Sequence, residues 1–373
     1  MSEYQYYEFR AIDRPLTETQ KSKISALSSR AHVTSHRASF AYNYGDFRGN
    51  PEQLMRDYFD AMVYVTNWGS RRLMFRIPLS LIDTKKAGRY CISEEIDEIV
   101  TQETVIFDLN FHDEDMSEWT EGEGWLDGLV ELREELIQGD FRVLYLAWLK
   151  AAENALGLEG IDDDTLEPPV PPGLNQLSDA LKTFVRFLGI VEAMLVVATR
   201  KSEDRKEEPL QLEKWVEKLP IKEQHDFLKH LSRGEPNLSI LLNKRLHELA
   251  NKAQFSEEGV DSGQRTIAGL IQAAEEWRRR KQEDNRHKEE LARKRRLEEL
   301  AVKENEVWQQ VGALIEEKKP KSYDSAIDLL KDLRELAENR GKLEEFKDQI
   351  AKIQQTYPNR PALRDRIRHA KLI

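Results

Sequence analysis

Apolar residues recur at every second position in two short stretches of this chain, and at every third or fourth in several longer ones. Leu73-Phe75-Ile77-Leu79 and Val105-Phe107-Leu109-Phe111 alternate with their neighbours at the period of a strand with one buried face. The aromatic-rich segment 4–12 and the extended run 33–44, with a kink, read as further strands. Thr17 with Gln20 forms a capping box that opens a helix ending near Arg30. Asn50-Pro51-Glu52-Gln53 opens another, with Asn as N-cap and Pro at the first helical position. Leu54, Tyr58, Ala61, Met62 and Val65 then make one stripe that stops at Asn67-Trp68-Gly69. This order predicts an α+β sheet with helices packed on one face, a ferredoxin-like strand order being one arrangement it allows. Helices are expected at 125–138 and 141–155.

Beyond residue 158 the strand period disappears. Residues 159–173, with Asp162-Asp163-Asp164 and two Pro-Pro pairs, read as a stiff acidic linker. From 174 to 255 the pattern is helical: Leu174, Leu177, Leu181, Phe184, Val185, Leu188, Val191 and Leu195 lead it, and shorter helices are expected around Trp215, Phe227 and Leu242. A second linker, 256–263, precedes one long charged helix over 264–318. Ile267, Leu270, Ile271, Ala274 and Trp277 form its first apolar stripe. No aliphatic residue occurs from Arg278 to Lys288, and Leu291, Leu297, Leu300, Val307, Val311 and Leu314 then resume the stripe. Helix formers dominate, and opposite charges lie three or four apart, as in Glu276 with Arg280 and Glu290 with Lys294. Residues 319–373 read as a helical hairpin with a basic tail: Ser322 caps the first helix, Gly341 breaks it, and Pro358 stops the second. The pair resembles one tetratricopeptide-type unit, too little for a repeat array. The expected architecture is an α+β N-terminal domain (1–158), a mostly α-helical middle domain, one long charged helix and a C-terminal helical hairpin.

Charge changes this picture more than composition does. Charged residues make up 34% of the chain, above the usual share of about 25%, which calls for extended solvated helix. Between Glu94 and Asp140 stand 17 acids and one base, Arg133; between Arg278 and Arg296 stand ten bases and four acids. One cysteine, Cys91, excludes an internal disulfide framework and fits a cytoplasmic location. No basic stretch leads into an apolar core at the N-terminus, and 184–198 is too short and too charged for a membrane span.

The chemistry-bearing residues do not assemble into a motif. There is no phosphate-binding glycine loop, His-Glu-x-x-His, paired Cys-x-x-Cys or Gly-x-Ser-x-Gly elbow. His32 with His36 and His225 with His230 have spacings unsuited to metal ligation. The acids from Asp113 to Glu123 lack calcium-loop spacing and read first as a solvated loop, second as a dock for a basic partner. Asp83-Thr84-Lys85 is half of a nuclease pattern. Tyr4, Tyr6, Tyr7, Tyr42 and Tyr44 read as sheet core before they read as base-stacking platforms, because the surrounding field is acidic. The best candidates for partner or nucleic-acid contact are Arg278, Arg279, Arg280, Arg293, Lys294, Arg295 and Arg296, with Arg360, Arg364 and Arg368 of the tail. For each the readings run from solvated helix, through protein contact, to phosphate contact. No metal or cofactor is implied.

MSEYQYYEFRAIDRPLT, Asn67-Trp68-Gly69, Gly122-Glu123-Gly124-Trp125-Leu126 and Leu166-Glu167-Pro168-Pro169-Val170-Pro171-Pro172-Gly173-Leu174 together resemble a family of conserved bacterial proteins to which no activity is assigned. The resemblance implies a bacterial cytosolic protein, and no catalytic residue transfers with it. Proteins of that kind serve as accessory subunits in operon-encoded systems, including phage defence. The expected function is a non-catalytic scaffold or adaptor that joins protein partners through its body, long helix and hairpin. The alternative is an accessory nucleic-acid-binding subunit using 278–296 and 360–371; an enzyme of another type comes third.

Overall fold

The computed structural model describes residues 3–91, 94–113, 121–154, 165–205, 212–233 and 265–372, with a few positions between 238 and 249. The calls on 114–120, on 159–164, on Ala155 and on the linker 256–263 lie outside the described residues. Two compact units are present, residues 1–277 and 278–373.

The first unit is built on a seven-stranded, wholly antiparallel sheet: β1 (Gln5–Arg10), β2 (Ala31–Val33), β3 (Arg37–Tyr42), β4 (Ala61–Thr66), β5 (Ser70–Pro78), β6 (Ile96–Val100) and β7 (Thr104–His112), in the order β2-β3-β1-β4-β5-β7-β6. The kink expected in 33–44 is the turn of the β2-β3 hairpin. The helix expected to run to Val65 ends early, as α2 (Pro51–Asp57), and Ala61, Met62 and Val65 belong to β4. Val63, Val65 and Thr66 are β-branched, and β4 pairs with β1 and β5 on its two edges, so strand pairing overrides the helical stripe. Asn67-Trp68-Gly69 is therefore a hairpin turn, with Gly69 at φ +96°.

Helices cover both faces of the sheet, not one. Phe9, Phe40, Met62, Met74 and Ile106 pack against α1 (Glu18–Ser25) and α2. Val63, Leu73, Phe75, Val105, Phe107 and Leu109 pack against α4 (Trp125–Leu129), α5 (Glu131–Ile137), α6 (Arg142–Asn154), α7 (Asp179–Leu188) and α8 (Glu192–Thr199). The central strands are apolar at both parities, as in Leu73-Met74-Phe75 and Val105-Ile106-Phe107, which marks a sheet buried on two sides. Every side chain of α6 from Arg142 to Ala152 is buried, the signature of a helix enclosed all round. Thr17 and Gln20 make the expected capping box on α1, and Asn50 caps α2. The apolar run 184–198 is two helices, broken at Gly189 with φ +63°. Among the described residues no helix is long and apolar enough to cross a membrane.

The described part of the Pro-rich segment is fastened to this core. Leu166 bridges Thr266, the Glu167 amide donates to the Arg265 carbonyl at 2.8 Å, and the Ile267 amide donates to the Thr165 carbonyl at 3.0 Å. The Glu167 carboxylate is 1% exposed; its Oε1 accepts from the Tyr145 hydroxyl at 2.5 Å and from Arg265 Nη2 at 2.7 Å, and its Oε2 from Arg265 Nε at 2.8 Å. Burial and the adjacent carboxylate push the Tyr145 phenol well up, so it stays a donor. The α7 and α8 side chains share the sheet's core, as do Ile267, Leu270, Ile271 and Ala274 at the start of the long helix. The smaller helices α9 (Leu212–Val216) and α10 (Ile221–Ser232) lie around Trp215 and Phe227; around Leu242 only scattered positions are described.

The long helix, α11, runs Ile267–Val302 over 36 residues. A break at Lys303, where φ is −106° and ψ 14°, separates it from α12 (Glu304–Glu316). No glycine or proline causes the break. Val311 and Ile315 of α12 are buried in the core of the second unit with α13 (Pro320–Asn339), α14 (Leu343–Thr356) and α15 (Pro361–His369). Pro320, not Ser322, opens α13; the Ser322 hydroxyl instead donates to Glu317 at 2.7 Å. The basic tail is a third packed helix, anchored by Leu363, Ile367 and Leu372.

Removing the guanidinium that faces Glu167 leaves a buried carboxylate with one hydroxyl partner. Arg265→Ala is expected to cost about 3–5 kcal/mol, and Tyr145→Phe about 1–2 kcal/mol. Denaturant unfolding followed by tryptophan fluorescence measures both; an Arg265→Ala midpoint equal to that of the parent chain refutes the ranking.

Candidate functional site

Residues 278–296 of α11 are helical and exposed at every position, a stretch of roughly 28 Å at the rise of an α-helix. Seven of the ten sequence candidates lie on it. They do not form one patch. Arg293 forms an ion pair with Glu335, and Arg296 one with Asp332, both acids of α13. The Asp332 carboxylate beside it raises the Arg296 pKa. Arg278, Arg279 and Arg280 stand two heptads upstream, and Lys294 and Arg295 point away from the positions that meet α13.

The tail candidates are used within the second unit. Arg360 donates to the Ile315 carbonyl and lies 4.7 Å from the centre of the Tyr357 ring. Arg364 donates to the Pro358 carbonyl at 3.0 Å, and Arg368 lies 3.8 Å from Asp365. Arg366, another base of the tail 360–371, pairs with Asp324 of α13 at 2.6 Å. Residues 278–373 carry 25 Lys and Arg against 19 Asp and Glu, and residues 1–277 carry 32 against 49, so the two units have opposite net charge.

The first unit's charges are organised inward. Glu8, fully buried on β1, accepts from the Tyr6 hydroxyl at 2.9 Å, from Arg10 at 2.9 Å and from Arg37 at 3.0 Å. Arg10 and Arg37 face each other across the β1-β3 ladder, a like-charged pair that Glu8, Asp127 and Glu123 neutralise. Asp60 accepts from Arg76 at 2.6 Å and from the amides of Ile12 at 2.6 Å and Asp13 at 2.9 Å. Asp13 in turn pairs with Arg133 at 2.7 Å, which explains the lone base of the acidic region. A cleft of about 750 Å³ opens beside this network, lined by Asp13, Arg14, Arg56, Arg76 and Glu103 among others. Asp13 and Arg76 are committed to their ion pairs, and the Thr101 hydroxyl there is bonded to the Thr104 carbonyl at 2.9 Å. These buried carboxylates escaped the sequence reading; their signal was an acid inside a strand period, as at Tyr6-Tyr7-Glu8-Phe9.

Other sequence candidates have local structural roles. Asp83 caps α3 (Thr84–Ala87) by accepting from the Lys86 amide at 3.2 Å, so the half-motif Asp83-Thr84-Lys85 is a helix start. His32 sits on β2 and His36 in the following turn, with its Nδ1 2.9 Å from the Ser35 hydroxyl. Tyr6, Tyr7 and Tyr42 belong to the sheet, Tyr7 stacking on Tyr64 at 4.3 Å, whereas Tyr44 is exposed at φ 134°. Asp113 pairs with the buried Lys150 at 2.6 Å. Among the described residues no group of His, Cys, Asp and Glu is placed to hold a metal ion. Comparison with family models, with curated proteins and with solved structures returns no match to this chain.

Burial, followed by the carboxylates of Glu98 and Asp97, pushes the Cys91 thiol up to about 12. The thiolate is therefore scarce at neutral pH. At pH 8, Ellman's reagent is expected to react with the folded chain on the order of a thousandfold more slowly than with the urea-unfolded chain. Equal rates overturn this placement of Cys91.

Proposed function

We propose that this chain is a non-catalytic scaffold or adaptor subunit of a bacterial multi-protein system. The observation that carries the reading is α11. Its first turns are buried in the core of the first unit, Leu297 near its end is buried, and all side chains from 278 to 296 are exposed. A helix polar on every side keeps its form through charge pairs and offers its surface to other molecules. The buried carboxylates support the same reading, because Glu8, Asp60 and Glu167 are each saturated by arginines and hydroxyl or amide donors and hold the fold. Size-exclusion chromatography with light scattering, joined to affinity capture from native lysate, tests the reading. Complexes of defined stoichiometry are expected; a strict monomer that captures nothing overturns it.

A second reading is carried by the ten exposed Lys and Arg of 278–296: an accessory nucleic-acid-binding subunit. It requires DNA or RNA binding that weakens steeply with salt and is lost on charge reversal at Arg293 and Arg296. Absence of binding at low salt removes it.

A further inference from the structure

The two edges of the sheet differ. β2, at one edge, is three residues long and lies beside α1. β6, at the other, has β7 as its one neighbour. The Asn110 amide donates to the Glu95 carbonyl and the Thr101 amide to the Thr104 carbonyl, both at 2.8 Å. Odd-numbered residues of β6 therefore bond to β7, and the backbone groups of Ile96, Glu98 and Val100 point off the sheet. Among the described residues the Ile96 and Val100 amides have no hydrogen-bond partner, and the Glu98 amide has the adjacent Asp97 Oδ1, at 2.8 Å. Val100 is 53% exposed. From Glu94 to Thr104 stand five acids and no Lys or Arg. Among the described residues Asp97 and Glu98 have no ion pair, and Glu98 Oε2 is buried and accepts no hydrogen bond. Burial, followed by Asp97, raises the Glu98 pKa.

We propose that the open edge of β6 takes up an extended, basic segment of a partner protein as an added antiparallel strand. The inference rests on the scaffold reading and names the chemistry of one partner. The backbone names a strand, because the outward groups of Ile96, Glu98 and Val100 repeat at the pitch of a β-ladder and another strand meets all of them at once. The side chains name its composition. A Lys or Arg opposite Glu98 meets a carboxylate that lacks an ion-pair partner, and a second cation fits opposite Asp97. Apolar β-branched residues fit opposite Ile96, Ile99 and Val100. A second copy of β6 fits poorly. Paired with itself over its full length, the strand would set Glu98 against Glu98, two like charges at one level. The acids thus deter self-pairing and acidic strands while favouring a basic one.

The probe is a short synthetic peptide with the central run Val-Ile-Lys-Lys-Val, read by fluorescence anisotropy against the full chain at low salt. One control has the same composition in scrambled order. Another is methylated on the backbone nitrogens of both valines and the first lysine, the amides that face β6 in this register. The probe is expected to bind about tenfold or more tightly than either control. Val100→Pro removes an outward amide and leaves the β6-β7 ladder intact, so it should weaken binding to a similar degree. Asp97→Lys should do the same, and a peptide with Glu in place of the second lysine should prefer that variant to the parent. Circular dichroism and thermal midpoints report folding; if a variant does not fold, the methylated control decides on the parent chain. Equal binding of methylated and unmethylated peptides, or no effect of Val100→Pro in a folded chain, overturns the proposal. So does a dimer of the parent chain that Val100→Pro dissolves, which assigns the edge to a second copy. Capture from native lysate separates the two readings. If folded Val100→Pro captures the same partners as the parent, this inference falls and the scaffold reading stands; if the parent captures nothing, the scaffold reading falls and the peptides alone decide the edge.

Discussion

The ion pair between Glu167 and Arg265 governs the architecture of the first unit. The two residues lie 98 positions apart, and their meeting closes the Pro-rich segment onto the residues that start the long helix. A buried carboxylate is tolerated only when its lone pairs are taken up, and here a two-point guanidinium contact and the Tyr145 hydroxyl take them up. The backbone bridge between Leu166 and Thr266 fixes the register, and Arg265 Nη1 also donates to the Val197 carbonyl at 3.0 Å, tying in α8. One side chain thereby joins three segments that share no local sequence signal. The first turns of α11 then fall on the apolar surface that receives Ile267, Leu270 and Ile271.

The same economy of charge runs through the sheet. A sheet buried on both faces has few places for polar side chains, yet β5 carries Arg72 and Arg76 on the face that holds Met74. Each meets an acid: Arg72 Nε donates to Asp108 at 2.8 Å, and Arg76 pairs with Asp60. On the opposite face Glu8 gathers Arg10 and Arg37. Part of the acidity that looks like surface charge in the sequence is counter-charge for arginines on strands: Asp108 meets Arg72 inside, and Glu123 and Asp127 reach Arg37 and Arg10 from the surface. Asp13 and Asp113 instead pair with Arg133 and Lys150 on helices.

Local signals in the sequence were reliable where the controlling interaction was local. The capping box of Thr17 and Gln20, the Asn50-Pro51 helix start and the alternation in 73–79 and 105–111 all correspond to elements of the fold. The long helix was legible because nothing between Leu270 and Val311 carries a strong breaker, although packing of Val311 and Ile315 accompanies an end at Val302 that composition did not announce. What escaped was set by long-range pairing. Ala61–Thr66 has a helical stripe and a strand's β-branching, and only its two neighbouring strands decide between them. β6 was missed because Ile96, Ile99 and Val100 are sparse among acids, and an edge strand needs only one covered face. Of the candidate contact residues, charge run and helix were readable, but the pairing of Arg293 and Arg296 depends on where the tertiary fold places Glu335 and Asp332 of α13.

Arginines at seven-residue spacing on α11 restrict what the helix can join. Two copies laid parallel and in register would set Arg279 against Arg279, Arg286 against Arg286 and Arg293 against Arg293, three stacked like-charge levels with no apolar layer between them. Stacked arginines of this kind disfavour self-pairing of this stretch in the parallel, in-register coiled-coil arrangement.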